Sequence, residues 1–326
     1  MKPQNNPLKS DKLVSIIVPA FNHENYVEIC LESIFQQTYP QIELIIINDG
    51  STDQTHSRIQ NWLAKCPDRF KRLEYINRDN RGLTNTLNQG LEWAEGEYFS
   101  AIASDDILAI DKIRLLVAAL EEKGASFAAA FGNAKFIDSE GKEISLEIKD
   151  TKGLVITETP LFLDHYTFGR KFDFKDPAYF GTYPSLLAGN YLPAMSMLVR
   201  TSSIREVGGW TSGNTVEDWE MWLKLSKNFS FCFVDQTVAS YRWHDGNASK
   251  VKREQILRDS IKLLENEMTF ATANSYNDAF FPVYLFNVRL LKEFDTKKYN
   301  RKMIKLLINI SFLRFVSKKI RQRRNV

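Results

Sequence analysis

Two nearly continuous apolar runs, Val14–Val18 and Ile42–Ile47, each end in polar turn residues and lead into a segment with helical spacing. Runs of this kind fit strands buried on both faces, which arise in parallel sheets covered by helices on each side. After the first run, Val27, Cys30, Leu31, Ile34 and Phe35 share one helical face within Tyr26–Gln37. After the second, Thr55–Cys66 reads as a helix, Leu73–Ile76 as a short third strand, and Leu83–Ala94 as a helix with Leu83, Leu87 and Leu91 one turn apart. Glu97–Ala103 is expected as a fourth strand running into Ser104, Asp105 and Asp106, followed by a helix over Asp111–Lys123 and a strand over Ser126–Gly132. Strand and helix alternate, so the first 130 or so residues are expected to form a mostly parallel α/β sheet with helices on its faces.

In such sheets ligands bind beyond the carboxyl ends of the strands. Three expected strand ends are polar: Phe21-Asn22, Asn48-Asp49 and Asp105-Asp106. Beyond Gly132 the pattern loosens. Thr151–Pro184 has no clear period and reads as an irregular insertion. Ala194–Arg200, Phe229–Val234 and Val238–Trp243 read as strands, and Val216–Asn228, Arg253–Glu267 and Pro282–Glu293 as helices.

The chain has 326 residues, 44% hydrophobic and 25% charged, which is ordinary for a globular protein. Its three cysteines, Cys30, Cys66 and Cys232, fit no zinc spacing and suit a reducing compartment. Residues 1–12 lack an apolar core, so no secretory signal is expected there, only a disordered lead-in. Charge is uneven. From Lys297 to Val326 there are eleven Lys or Arg and no acid, while the whole chain is +3, leaving the preceding residues at about −8. Met303, Leu306, Leu307, Ile310, Leu313 and Ile320 recur three or four apart among those bases. That is a basic amphipathic helix, suited to an anionic membrane surface. Packing on the main domain with a basic outer face is the other reading. The apolar run is too short to span a bilayer. No nucleic-acid partner is expected, because no recognised binding module accompanies the charge.

Five segments, VPAFN, INDGSTD, AEGEYFSAIASDD, VEDWEMW and YRWHDGNAS, together resemble glycosyltransferase family 2 over roughly residues 14–250. The resemblance implies the GT-A nucleotide-diphosphosugar fold, with a catalytic domain over 13–250 (nucleotide half 13–132, acceptor half 133–250) and a helical region over 251–326. It implies a metal-dependent, inverting transfer of one sugar from a nucleotide sugar, UDP- or TDP-linked, to a glycan or lipid-linked acceptor of bacterial surface polysaccharide. The enzyme is then expected in the cytoplasm, peripheral on the inner face of the membrane. Processive synthases also carry membrane spans and a QxxRW motif, and neither is present here. Sugar nucleotidyltransferases expect a Gly-rich loop where this chain has PAFNHEN. A non-catalytic binding protein of the same fold stays as the rival from another class.

Residue roles follow the same resemblance. Pro19 and Phe21 belong to the donor site, where Phe21 either stacks on the base or is plain core. Asp49 either accepts a ring N–H from uracil or thymine or only shapes its turn. Arg81 either pairs with phosphate or is solvated, and Gly82 allows close backbone approach. Ser104-Asp105-Asp106 stands at the DxD position with Ser in place of the first acid. The resemblance makes Asp106 the ligand of Mn²⁺ or Mg²⁺ and gives Asp105 the ribose or an assisting role. Asp218 is implied as catalytic base and Glu217 as an orienting acid, against a reading as helix-start carboxylates. Trp219 and Trp222 are core or a sugar-stacking wall. His244 is a metal or diphosphate ligand, or a structural histidine.

Overall fold

The computed structural model describes residues 11–324 except 67, 151–152, 170–172 and 174. Most of the expected lead-in therefore lies outside the described residues. Chain contacts divide the protein into two compact units. One contains residues up to Gly181 with Tyr191–Gly213 and Lys224–His244, and the other contains Thr182–Asn190, Asn214–Leu223 and Asp245–Val326.

The first unit is built on one eight-stranded sheet. Its amino-terminal part alternates as expected except for one additional short strand, β5: β1 (Val14–Ala20), α1 (Val27–Phe35), β2 (Ile42–Asp49), α2 (Thr55–Leu63), β3 (Arg72–Arg78), α3 (Leu83–Trp93), β4 (Tyr98–Ala101), β5 (Ile107–Leu108), α4 (Lys112–Lys123) and β6 (Phe127–Ile137). β7 (Leu146–Lys149) precedes the stretch expected to be irregular, which contains β8 (Val155–Thr159), α5 (Phe162–Thr167) and the start of α6 (Tyr183–Leu187), the last in the second unit. These elements are short, so none shows a full hydrophobic period. A single 3-10 turn precedes β9 (Leu198–Arg200), then α7 (Thr201–Glu206), α8 (Glu217–Ser226) and β10 (Ser230–Arg242) follow.

Strand order is β3-β2-β1-β4-β9-β6-β10-β5. β1 pairs in parallel with β2 and β4, β2 with β3, and β6 with β10, while β9 and β5 run antiparallel to their neighbours. The two strands expected over 229–243 are one strand, β10, whose register against β6 shifts near Val234 and Thr237. The bulge interrupts the alternation and makes one strand read as two.

Both sheet faces are covered, which is why β1 and β2 carry no polar alternation. Ile16, Val18, Leu44 and Ile46 pack with Cys30, Leu31 and Ile34 of α1, Ile59 of α2 and Leu116 and Leu120 of α4. Ile17, on the opposite face, meets Gly90 of α3. Pro19 is tolerated because its nitrogen faces the β4 side, where the β1–β4 ladder has already ended at Ile17 and Ala101. Glu43, the one charge within the apolar run Ile42–Ile47, is fully buried. It accepts bonds from Ser15 Oγ, the Glu95 and Gly96 amides and Arg72.

The second unit is helical: α9 (Ala248–Val251), α10 (Arg253–Ala273), α11 (Asn277–Leu290), α12 (Thr296–Leu307) and α13 (Ile310–Arg324). α10 continues past Glu267, and α11 begins before Pro282, which sits inside it. The single tail helix read from the sequence is two helices. Asn309 breaks it, its Oδ1 accepting the Phe312 amide at 2.9 Å to start α13. Leu306 and Phe312 are buried, whereas Ile304, Leu307, Ile308, Ile310, Leu313 and Ile320 are exposed. Among the described residues no helix is long and apolar enough to cross a membrane.

Candidate active site

The carboxyl ends of β1, β2 and β3 are tied into one rigid rim. Asn22 adopts φ +52°, uncommon outside glycine, and its side chain explains why. Asn22 Oδ1 accepts the Thr52 amide at 2.8 Å, while the Asn22 amide donates to Ser51 Oγ at 2.9 Å. The His23 amide donates to Thr55 Oγ1 at 2.8 Å, and the Glu24 amide to Asp53 Oδ2 at 3.0 Å. The NDGSTD run and the β1 exit thus exchange donors and acceptors, Ser51 and Asp53 accepting and Thr52 donating. Phe21 stands on this rim with 45% of its surface exposed, so it is not a core residue.

Asp49 is buried at the end of β2. Its Oδ1 accepts from Arg78 Nη1 and, at 2.8 Å, from the Arg81 amide; its Oδ2 accepts the Gly82 amide at 2.9 Å. Parallel register places Arg78 beside Asp49. Arg78 continues to Gln89 Oε1 at 3.0 Å and Thr86 Oγ1 at 2.8 Å on α3. Asp49 therefore shapes the 79–82 loop, and Oδ2 with a single donor keeps capacity for another. Gly50 closes this contact: at φ +73°, a side chain there would bring its Cβ to 2.5 Å from the Asn80 nitrogen. Gly82 is glycine for its φ of +85° at the start of α3; a Cβ would meet nothing within 4 Å. The Arg81 side chain is exposed.

The two acids after β4 part ways. Asp106, expected from the motif as the metal ligand, turns inward and accepts the Arg242 amide at 2.9 Å. Burial, and then the charge of Asp105, push its carboxyl well above the usual range. Asp105 is the carboxylate that faces the histidines. Its Oδ2 lies 3.0 Å from His244 Nε2 and 3.6 Å from His23 Nε2. Burial raises its carboxyl, but the His244 hydrogen bond and the His23 charge outweigh that and hold it below the ordinary value. Among the described residues Asp105 Oδ1 is buried with no hydrogen-bond partner. Arg242 is buried as a clamp on this turn, donating to the Asp105 carbonyl at 2.8 Å and the Asp138 carbonyl at 2.9 Å. A buried anionic oxygen lacking a donor beside two imidazoles fits a divalent cation. His23, Asp105 and His244 offer one ligand atom each within 4.8 Å of one another.

In the second unit, Asp218 sits in the first turn of α8. Asn190 Nδ2 donates to its Oδ2 at 2.8 Å, and the Trp219 amide to its Oδ1 at 2.6 Å. Burial raises the Asp218 carboxyl. Burial, and then the charge of Asp218, push Glu217 up to about 8. Two adjacent acids with raised values are where a proton acceptor tuned toward neutral pH is found. Trp219 and Trp222 are core: both are buried, and Trp219 Nε1 donates to the Leu186 carbonyl at 2.7 Å.

The rim thus gathers Pro19, Phe21, Asp49, Gly82, Asp105 and His244 from the residues expected to bind donor or metal. His23, Arg78 and Asn190 were missed. His23 carried a signal, as one of four histidines and next to a strand exit. Arg78 and Asn190 carried none, because register and loop packing are not written in local pattern.

Comparison with known proteins bears on the family and the fold. The family model for glycosyl transferase family 2 matches residues 15–182. An uncharacterized glycosyltransferase of Haemophilus influenzae is 29% identical over 260 residues, 79% of this chain and 74% of that protein. One of Rickettsia felis is 27% identical over 73% of this chain, which spans only 35% of that relative's length. The mannosyltransferase PcManGT of Pyrobaculum calidifontis, solved with GDP-Man and Mn²⁺, aligns at TM-score 0.58 and 15% identity over 95% of this chain and 84% of its own. S. aureus TarS 1–349, solved with UDP-GlcNAc, aligns at 0.55 and 16% over 91% and 76%. The fold is accordingly GT-A, and the chain belongs to glycosyltransferase family 2.

Proposed function

We propose that this chain transfers a single sugar from a nucleotide sugar, UDP- or TDP-linked, to a glycan or lipid-linked acceptor of bacterial surface polysaccharide, with inversion. The observation that carries the reading is the rim on which Phe21, Asp49 and the Asp105–His244 pair stand together. Phe21 offers a fixed, exposed face on which a base stacks. Asp49 Oδ2 accepts the N3–H of a uracil or thymine. Asp105 and His244 would hold a Mn²⁺ or Mg²⁺, which supplies counter-charge to the diphosphate. The rigid cross-links of the β1 and β2 exits keep these groups in place before the donor arrives, so little ordering is needed on binding.

Asp218 takes the proton. As the acceptor hydroxyl oxygen bonds to the anomeric carbon, the bond from that carbon to the diphosphate oxygen breaks, and the hydroxyl proton passes to the Asp218 carboxylate. Asn190 orients that carboxylate through its hydrogen bond. Glu217, with its raised value, is the neutral neighbour that keeps Asp218 from sharing a site with a second full charge. The basic helices α12 and α13, with Ile304, Leu307, Ile308 and Ile310 exposed among lysines and arginines, bring the enzyme to the anionic cytoplasmic face of a membrane.

The test is a titration of UDP, TDP, GDP and their sugars against the purified chain, with and without Mn²⁺. Metal-dependent binding of uridine or thymidine diphosphates supports the donor reading. Preference for GDP moves the donor class, and no binding by any nucleotide removes it.

A further inference from the structure

We propose that His23 is a third protein ligand of the cation, so that the site is built of two imidazoles and one carboxylate and selects transition-metal ions over Mg²⁺. This rests on the reading of the Asp105–His244 pair as a metal site. The three ligand groups come from three separate places in the first unit: His23 from the β1–α1 turn, Asp105 from the turn after β4, and His244 from just beyond β10. Both Nε2 atoms address the same carboxylate oxygen, at 3.6 and 3.0 Å. Ligand atoms sharing an ion at about 2.1 Å are separated by roughly 3.0–3.4 Å; the two distances to Asp105 lie at or close to that range, and all three ligand atoms lie within 4.8 Å of one another.

The His23 ring is aimed. Its Nδ1 lies 2.8 Å from Ser104 Oγ, which fixes the ring and leaves Nε2 toward Asp105. Tyr26 packs on both imidazoles, with centroids 6.1 Å from His23 and 5.1 Å from His244. This is how metal-bound histidines are held: the second nitrogen is engaged by a fixed partner. It also gives Ser104 a purpose. Where the family's motif has an acid, this chain has a hydroxyl that positions an imidazole. Mg²⁺ requires oxygen ligands in near-ideal octahedral geometry, whereas imidazole favours Mn²⁺, Co²⁺ and Zn²⁺ in rising order.

The experiment is a titration of the full chain with Mn²⁺, read by the electron paramagnetic resonance of free Mn²⁺, with and without UDP, for wild type, His23→Gln, His23→Ala and Ser104→Ala. Mn²⁺ is expected to bind wild type and to resist a tenfold excess of Mg²⁺. Both His23 variants are expected to weaken Mn²⁺ about tenfold or more while their Mg²⁺ affinity changes little, and Ser104→Ala to fall between. Circular dichroism identifies a variant that has unfolded, and His23→Gln keeps the polar contacts where His23→Ala does not. Unchanged Mn²⁺ affinity in folded His23→Gln, displacement of Mn²⁺ by equimolar Mg²⁺, or no Mn²⁺ binding at millimolar concentration each overturn the proposal. A His23-dependent Mn²⁺ site in a chain that binds no nucleotide would sustain it and remove the donor reading instead.

Discussion

Replacing Arg78 by methionine leaves Asp49 as a buried anion without its cation. The two side chains of the pair are only 7% and 6% exposed, so solvent screens little of their attraction. Removing one member of a buried pair costs about 3–5 kcal/mol, mostly because the partner's charge stays behind. Two backbone amides, from Arg81 and Gly82, still face Asp49 in the variant, which moves the expected cost to the lower half of that range. Gln89, Thr86 and the Asp79 carbonyl lose a partner each; Thr86 is buried but its hydroxyl keeps the Gly82 carbonyl, so together these add roughly 1 kcal/mol. The expected loss is therefore about 4–5 kcal/mol. With a slope of roughly 2–3 kcal/mol per molar urea, the midpoint falls by about 1.3–2.5 M. Urea denaturation followed by tryptophan fluorescence measures it. The double variant Arg78→Met/Asp49→Asn removes the stranded charge, so its cost should fall short of the sum of the single changes by about 2 kcal/mol or more. A single-variant loss under about 1 kcal/mol, together with additive costs in the cycle, would refute the reasoning: Asp49 would then be held by the loop amides alone.

Asp218→Asn should lower kcat by about 10²–10⁴ and leave nucleotide affinity unchanged, since the base acts only as the acceptor is deprotonated; equal losses in both would place Asp218 in donor binding. Glu217 sets a pH dependence of stability. An unfolded chain loses this proton near 4.5, whereas the folded protein keeps it up to about 8. The folded state binds more protons in that window, so stability falls as pH rises from about 4.5 to 8. Glu217→Gln should shrink that decline in thermal midpoints taken across the window, and parallel profiles for the two proteins would show that Glu217 titrates normally. Phe21→Ala should weaken nucleotide binding roughly fivefold or more, the value of one stacked base, with little effect on stability because the ring is already exposed. A drop in stability with unchanged affinity would return Phe21 to the core.

Local pattern carried most of the sheet. Buried parallel strands must be apolar on both faces, so Val14–Val18 and Ile42–Ile47 could be read directly. The α1, α2, α3 and α4 helices show their apolar faces at helical spacing. The same reasoning put Phe21, Asp49 and the paired acids on one edge, because parallel strands end on the same side. It was blind where backbone geometry departs from the regular period. The bulges in β10 divided one strand into two, the short elements between 146 and 187 had no period to show, and Asn309 cut the tail helix with a side-chain cap that a helical count ignores.

The division inside the site has a physical cause. The sequence by itself determined that two adjacent acids follow β4 and that a histidine closes β10, since these are facts of order and composition. Which acid faces the histidines was decided by the tertiary structure. Arg242, 136 residues away from Asp106, offers its backbone amide to that carboxylate and its guanidinium to the Asp105 carbonyl, which turns Asp106 inward and Asp105 outward. His23 joins them only because β1 lies beside β4 in the sheet. Strand neighbours are chosen by packing of the whole core, and a one-residue alternation decides which side chain points where. No local pattern can hold that choice.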